Sequence, residues 1–147
     1  MVVAQNFDIT ECRLAQEWRR FEAATNCHIV WLLEPKRNSS VTHYTGIMGH
    51  PVGQGQLAHT LFAFVHYAFQ WSEGAIVLAD IQGSSGRLST YTMGILIFDM
   101  MTHTPDGDSG VSDHGGKGIE KWSDQHDCNV FCKTLDLAIG EDDDEQD

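Results

Sequence analysis

The period of the hydrophobic positions changes several times along the chain, and each change predicts an element. Leu14, Trp18 and Phe21 recur at helical spacing behind Asp8-Ile-Thr-Glu11, a variant of the capping box, so Glu11 to about Ala24 is predicted as an amphipathic helix. A short apolar strand from His28 to Leu33 follows. Glu34-Pro35 ends it, because proline has no N–H for a strand ladder and restricts the residue before it. A polar loop through Asn38-Ser39-Ser40 then leads to a glycine-rich linker from Gly49 to Gly55. Leu57, Leu61, Phe64, Val65 and Ala68 form a broad apolar helix face running to Trp71, where Ser72-Glu73-Gly74 stops it. Ala75 to Ala79 reads as a buried strand ending on Asp80, and Gly94 to Phe98 as another ending on Asp99. The turn-forming stretch THTPDGDSGVSDHGGKG comes next, a loop long enough to be a binding or active-site element, or else a mobile surface loop. A helix over about Ile119 to Gln125 follows it. The expected fold class is α+β: the strands ending at Asp80 and Asp99 form a small sheet packed on the helix Leu57 to Trp71.

Bulk properties narrow the function classes. A chain of 147 residues with 41% hydrophobic and 20% charged residues suits one globular domain. Its net charge of −12 and lack of a basic stripe argue against a nucleic-acid partner. Much of that charge lies in the run Glu141 to Asp147, expected to be a solvated, disordered tail. The richest apolar run, Ala58 to Phe69, is broken by His59, Thr60 and His66 and falls short of the roughly 20 residues that span a bilayer, so no membrane insertion is expected. The early Asp8, Glu11 and Arg13, with no apolar leader, point to an intracellular, cytoplasmic protein. Cysteines at 12, 27, 128 and 132 do not form the dense framework of a small secreted scaffold.

The most specific chemistry is HDCNVFC, which brings His126, Cys128 and Cys132 close together in sequence. Two thiolates and an imidazole suit tetrahedral Zn²⁺ and leave one ligand to find. Alternatively, Cys128 and Cys132 are small buried hydrophobes one helical turn apart, with His126 a solvated neighbour.

Taken together, VLADIQG (Val77 to Gly83), FDMMTHT (Phe98 to Thr104), GVSDHGGKG (Gly110 to Gly118) and HDCNVFC (His126 to Cys132) resemble the atypical alpha-kinases in order and spacing. This is the serine/threonine kinase family of elongation factor 2 kinase, the myosin heavy chain kinases and the channel-kinases. The resemblance covers roughly Trp31 to Leu137. It implies a structural zinc held by His66, His126, Cys128 and Cys132, with His66 taken from FVHYAFQ on the preceding helix. It also implies ATP- and Mg²⁺-dependent phosphoryl transfer to a protein serine or threonine. In that reading Asp80 is the catalytic acid near the acceptor hydroxyl, Gln82 a phosphate or Mg²⁺ contact, and Asp99 the second acid. An alignment with a shorter connection would put Thr90 in place of Asp99. Trp31-Leu-Leu-Glu34-Pro35 resembles the interlobe hinge, with Glu34 at adenine, and Gly110, Asp113, Gly115 and Gly118 belong to the loop that receives nucleotide or peptide.

Departures accompany the resemblance. Proline is absent after Asp99, Ser112-Asp113 stands where the family often has Gly-Asn, and His43-Tyr44-Thr45 where it tends to have Lys-aromatic-Asn. An N-lobe sheet carrying a phosphate-binding lysine is also missing before the hinge. The implied organisation is an N-lobe remnant over 1–29, an alpha-kinase-like C-lobe over 30–137 and the acidic tail over 138–147. Two functions follow: a protein kinase, or a truncated or degenerate pseudokinase serving as a zinc-stabilised protein-binding module. A zinc hydrolase ranks last, because four protein ligands leave no open metal position.

Overall fold

The computed structural model describes residues 4–16, 30–37, 40–50 and 53–137. Its centre is a mixed sheet built from β1 (Phe7–Ile9), β4 (Thr42–His43), β6 (Gln82–Arg87) and β7 (Met93–Phe98), in the order β1-β7-β6-β4. β1 runs parallel to β7, while β6 is antiparallel to both β7 and β4. A ribbon of β2 (Arg13–Gln16) and β3 (Val30–Leu33) stands apart, and β5 (Val77–Ala79) pairs antiparallel with β8 (Met101–His103). The helices are α1 (Gln56–Trp71), α2 (Gly116–Gln125) and α3 (Val130–Thr134). Among the described residues no helix is long and apolar enough to cross a membrane.

The expected helix α1 forms, but its buried stripe is Ala58, Leu61, Phe62, Val65 and His66, the i, i+3, i+4, i+7, i+8 pattern. Phe64, expected on the core face, turns outward and borders an apolar groove with Phe7, Ile9 and Met100. The stripe packs on Val77, Ile81, Ile97 and Trp122 to make the main core. β6 packs closely against β7 and Tyr44 at Gly83, where an added Cβ would stand 2.7 Å from Ile95 Cγ2 and 3.0 Å from the Tyr44 ring. Gly83→Ala is therefore expected to lower the unfolding free energy by about 1–3 kcal/mol, the usual cost of overpacking a core, read as a lower urea midpoint.

Three expectations are corrected. The helix predicted from Glu11 is a strand at Arg13–Gln16; its remainder to Ala24 lies outside the described residues. There Leu14 pairs with Leu32 across the ribbon, so cross-strand pairing overrides a weak helical period. The strands ending at Asp80 and Asp99 do not share a sheet: β5 pairs with β8, whereas β7 pairs with β6 and β1. The residues after Asp99 are not all loop either, because β8 starts at Met101 and α2 already at Gly116.

Candidate metal centre and active site

The four residues of the predicted metal set come from α1 and from the stretch running from the end of α2 into α3. His66 faces inward from α1, His126 caps the C-terminus of α2, Cys128 lies in the connector, and Cys132 lies in α3. Asn129 starts α3, its side chain accepting from the N–H groups of Phe131 and Cys132 at 2.8 and 3.3 Å, and so sets the angle at which Cys132 enters. The ligand atoms all lie within 4.8 Å of one another. His66 Nδ1 is 3.1 Å from His126 Nε2 and 3.7 Å from Cys128 Sγ, and Cys132 Sγ is 3.7 Å from His126 Nε2. A zinc tetrahedron with ordinary Zn–N and Zn–S bonds has edges of roughly 3.3–3.8 Å, so this donor set suits the ion in chemistry and approaches it in size, its widest spacing reaching 4.8 Å.

Burial keeps both imidazoles neutral, the form that ligates. His66 is pushed below the usual histidine value, and His126 to about 4 by burial and by His66 and His50, against a weaker opposing pull from Asp127. Burial pushes the Cys132 thiol up, so metal binding must displace its proton. Trp122 was not foreseen as part of this centre. It is buried, with its ring centroid 5.8 Å from that of His66 and 4.8 Å from that of His126, and so walls the imidazoles off from water.

His50 sits beside this wall, 8% exposed. Burial, with His103 nearby, lowers its pKa to about 4 against a weaker raising contact from the Ile47 backbone. His50 thus stays uncharged in the fold where an unfolded chain would protonate it near 6.5. Between those values the unfolded state binds more protons, so stability falls as pH drops from about 6.5 to about 4 and loses nothing more from this group below that. Urea midpoints across this window should show the decline, and His50→Leu should make it shallower.

The two predicted acids share one structural feature. In the paired registers Ala79 faces Met101 and Gln82 faces Phe98, so Asp80-Ile81 and Asp99-Met100 occupy the same break in an otherwise continuous antiparallel ladder. Both acids adopt left-handed backbone, with φ of 48° at Asp80 and 57° at Asp99. Non-glycine residues in that region cost free energy and cluster at functional sites. The break explains why β5 and β7 part company and why their ends nevertheless converge.

Asp80 is hydrogen-bonded through one carboxylate oxygen and has an imidazole near the other. Gln82 Nε2 donates to Oδ2 at 2.9 Å, and His43 Nδ1 lies 3.7 Å from Oδ1. His43 pairs with Gln82, and Gln82 with Phe98, so the three share one sheet face opposite the Ile95 and Ile97 core. The Arg37 guanidinium stacks on this face, 3.7 Å from the Phe98 ring centroid, and is paired with Glu34. Arg37 was not singled out by sequence; its only signal was a positive charge just past the hinge candidate. Two cavities adjoin Pro35: one of about 220 Å³ lined by Leu33, Glu34, Glu11 and Arg13, the other of about 250 Å³ bordered by Asp8, Arg87 and Leu96.

The glycine-rich loop is more closed than expected. The Asp113 side chain is fully buried and accepts from the N–H and hydroxyl of Thr104 at 3.1 and 2.6 Å, from Ser109, and from the Gly115 N–H at 2.9 Å. Burial alone would raise its pKa, but these hydrogen bonds outweigh it and hold the carboxyl far below the usual range. Gly115 is the N-cap of α2, and Gly118 packs against the His103 ring, whereas Gly110 borders open space.

Comparison with known proteins places this arrangement. The chain is 36% identical over 78 residues to myosin heavy chain kinase A of Dictyostelium discoideum, covering 52% of this chain and 6% of that protein. It is 34% identical over 77 residues to eukaryotic elongation factor 2 kinase of Caenorhabditis elegans, covering 52% and 9%. Its fold matches crystal structures of the alpha-kinase domain of myosin-II heavy chain kinase A. The complex with AMP gives a TM-score of 0.69 at 24% identity, covering 92% of this chain and 50% of that one, and the complex with AMP-PNP gives 0.69, covering 92% and 48%. The chain therefore spans about half of these solved domains and a small part of the full-length relatives. The family model described as the alpha-kinase family matches residues 2–132, and the chain belongs to that family.

Proposed function

We propose that this chain is the phosphoryl-transfer half of an ATP-dependent protein serine/threonine kinase, with its fold pinned by a structural zinc. The observation that carries the reading is the shared ladder break, which sets the backbones of Asp80 and Asp99 next to one another, with Gln82 already bonded to Asp80. Phosphoryl transfer asks a protein chiefly to position its reactants and to balance charge. Asp80, oriented by Gln82 and His43, is the group to accept the proton of a serine or threonine hydroxyl on a protein substrate. Gln82 and Asp99 are the groups to hold Mg²⁺, Glu34 and the cavity beside it the place for the base, and Arg37 a cation for the phosphates. The open backbone at Gly110 is the part of the glycine-rich loop free to meet nucleotide or peptide, while Asp113 shapes that loop. When bound, ATP and Mg²⁺ supply the transferred group and neutralise its charge.

A second reading, a pseudokinase acting as a zinc-stabilised protein-binding module, is favoured by the engagement of Asp113 within its own loop. Titration calorimetry of ATP with Mg²⁺ into the zinc-loaded protein separates the two. Saturable binding weakened by Glu34→Ala supports the kinase; no heat from a folded, zinc-bearing protein supports the module.

A further inference from the structure

The glycine-rich loop and the strand end carrying Asp80 are joined through one buried side chain, His103, at the end of β8. It is 0% exposed. Its Nδ1 lies 3.2 Å from the backbone nitrogen of His114, and its Nε2 lies 2.7 Å from the carbonyl oxygen of Ile47. A backbone N–H only donates and a carbonyl only accepts, so the ring is the neutral Nε2–H tautomer, accepting from the loop and donating to the segment around Ile47. That same segment fixes the acid. The Gly46 carbonyl accepts from the Asp80 N–H at 3.1 Å, and the Thr45 hydroxyl oxygen accepts from the Ile81 N–H at 2.9 Å. The Tyr44 N–H donates to the Ile81 carbonyl at 2.8 Å, and the Gln125 side chain accepts from the His50 N–H at 2.7 Å. Every link is buried or half-buried, so water is a poor substitute for any of them.

Gly118 completes the arrangement. A Cβ there would stand 2.3 Å from the Cγ of His103, so α2 closes over the ring only with glycine at this position.

From this geometry we infer that His103 is a positioning residue coupling the glycine-rich loop to the backbone at Asp80, so that whatever orders the loop also fixes the carboxylate. Only its effect on turnover rests on the kinase reading; the coupling itself is read without activity. The experiment is amide hydrogen exchange by NMR on the zinc-loaded full chain and its variants. His103→Phe fills the space without either hydrogen bond and is expected to speed exchange about tenfold at His114, Asp80 and Ile81, while Leu61 and Val65 in α1 keep their protection and zinc content is unchanged. His103→Gln restores a donor toward Ile47 and is expected to recover Asp80 and Ile81. Gly118→Ala, which displaces the ring without changing it, is expected to reproduce the His103→Phe pattern and keeps the idea testable if His103→Phe does not fold. Unchanged exchange at Asp80 and Ile81 in Gly118→Ala, or acceleration spread equally over α1, would overturn the coupling. In phosphotransfer assays His103→Phe should lower kcat with little change in KM for ATP. A parent protein that transfers no phosphate would count against the kinase reading and leave the exchange result standing.

Discussion

Stripping metal from the protein with a strong chelator at neutral pH is expected to abolish cooperative unfolding, because the proposed zinc would tie α1 to the segment that follows α2. His66 lies on α1 and the other three ligands lie beyond α2, so without the ion this junction rests on one imidazole–imidazole contact of 3.1 Å, two sulfur–imidazole contacts of 3.7 Å and the packing of both imidazoles on Trp122. The small core of Ala63, Phe131, Cys132 and Leu137 is built around one of those ligands and has little apolar area of its own. Structural zinc in zinc-finger peptides contributes roughly 10–16 kcal/mol, comparable to the whole stability of an ordinary domain at about 5–15 kcal/mol. Cys128→Ala and His66→Ala should each cost most of this, since three ligands close the site poorly. The check is circular dichroism melting with and without chelator, paired with metal analysis of the purified protein. A metal-free protein that melts normally would mean that Cys128 and Cys132 are buried hydrophobes and the cluster is ordinary core.

That alternative was open from sequence because HDCNVFC is local, whereas the fourth ligand comes from a helix 60 residues away. On α1, His66 reads as one more member of a buried stripe, and only the resemblance picked it out. The helix itself was legible because its apolar period extends over 16 residues. β6 was not: QGSSGR carries no strand signal, and it forms a strand because β7 and β4 flank it and its glycines let them close in. The start of the first helix was misread because Leu14, the one member of that spacing within the described residues, has its register set by Leu32 on a partner strand. The acids at strand ends were visible, but not the ladder break that brings them together, since that depends on which strand pairs with which. Arg37, His50, His103 and Trp122 were missed for a common reason: each matters through what it packs against, and one sequence does not show that.

The second large effect is expected at Asp80. Asp80→Asn should reduce phosphate transfer by about 10²–10⁴-fold, the usual range for losing a positioned proton acceptor, while leaving the fold and the zinc intact. Asparagine is the informative choice because the residue sits at φ 48°, where asparagine is tolerated and alanine adds strain of roughly 1–2 kcal/mol that would blur a catalytic loss into a folding one. The amide oxygen of asparagine can still accept from Gln82 Nε2, so the orientation at 2.9 Å is preserved and only the charge and basicity are removed. ATP affinity should then change by no more than a few-fold, since the carboxylate is assigned to the acceptor hydroxyl rather than to the nucleotide. Transfer from labelled ATP to a serine- and threonine-containing peptide library, alongside melting curves, gives the comparison. Asp99→Asn should differ, losing activity at ordinary Mg²⁺ and recovering part of it only at higher Mg²⁺ concentration, because that acid is assigned to the metal. Undiminished transfer by Asp80→Asn would remove Asp80 from the chemistry. The strained acids at the ladder break would then need another explanation, the nearest being that the break only bends one sheet away from the other.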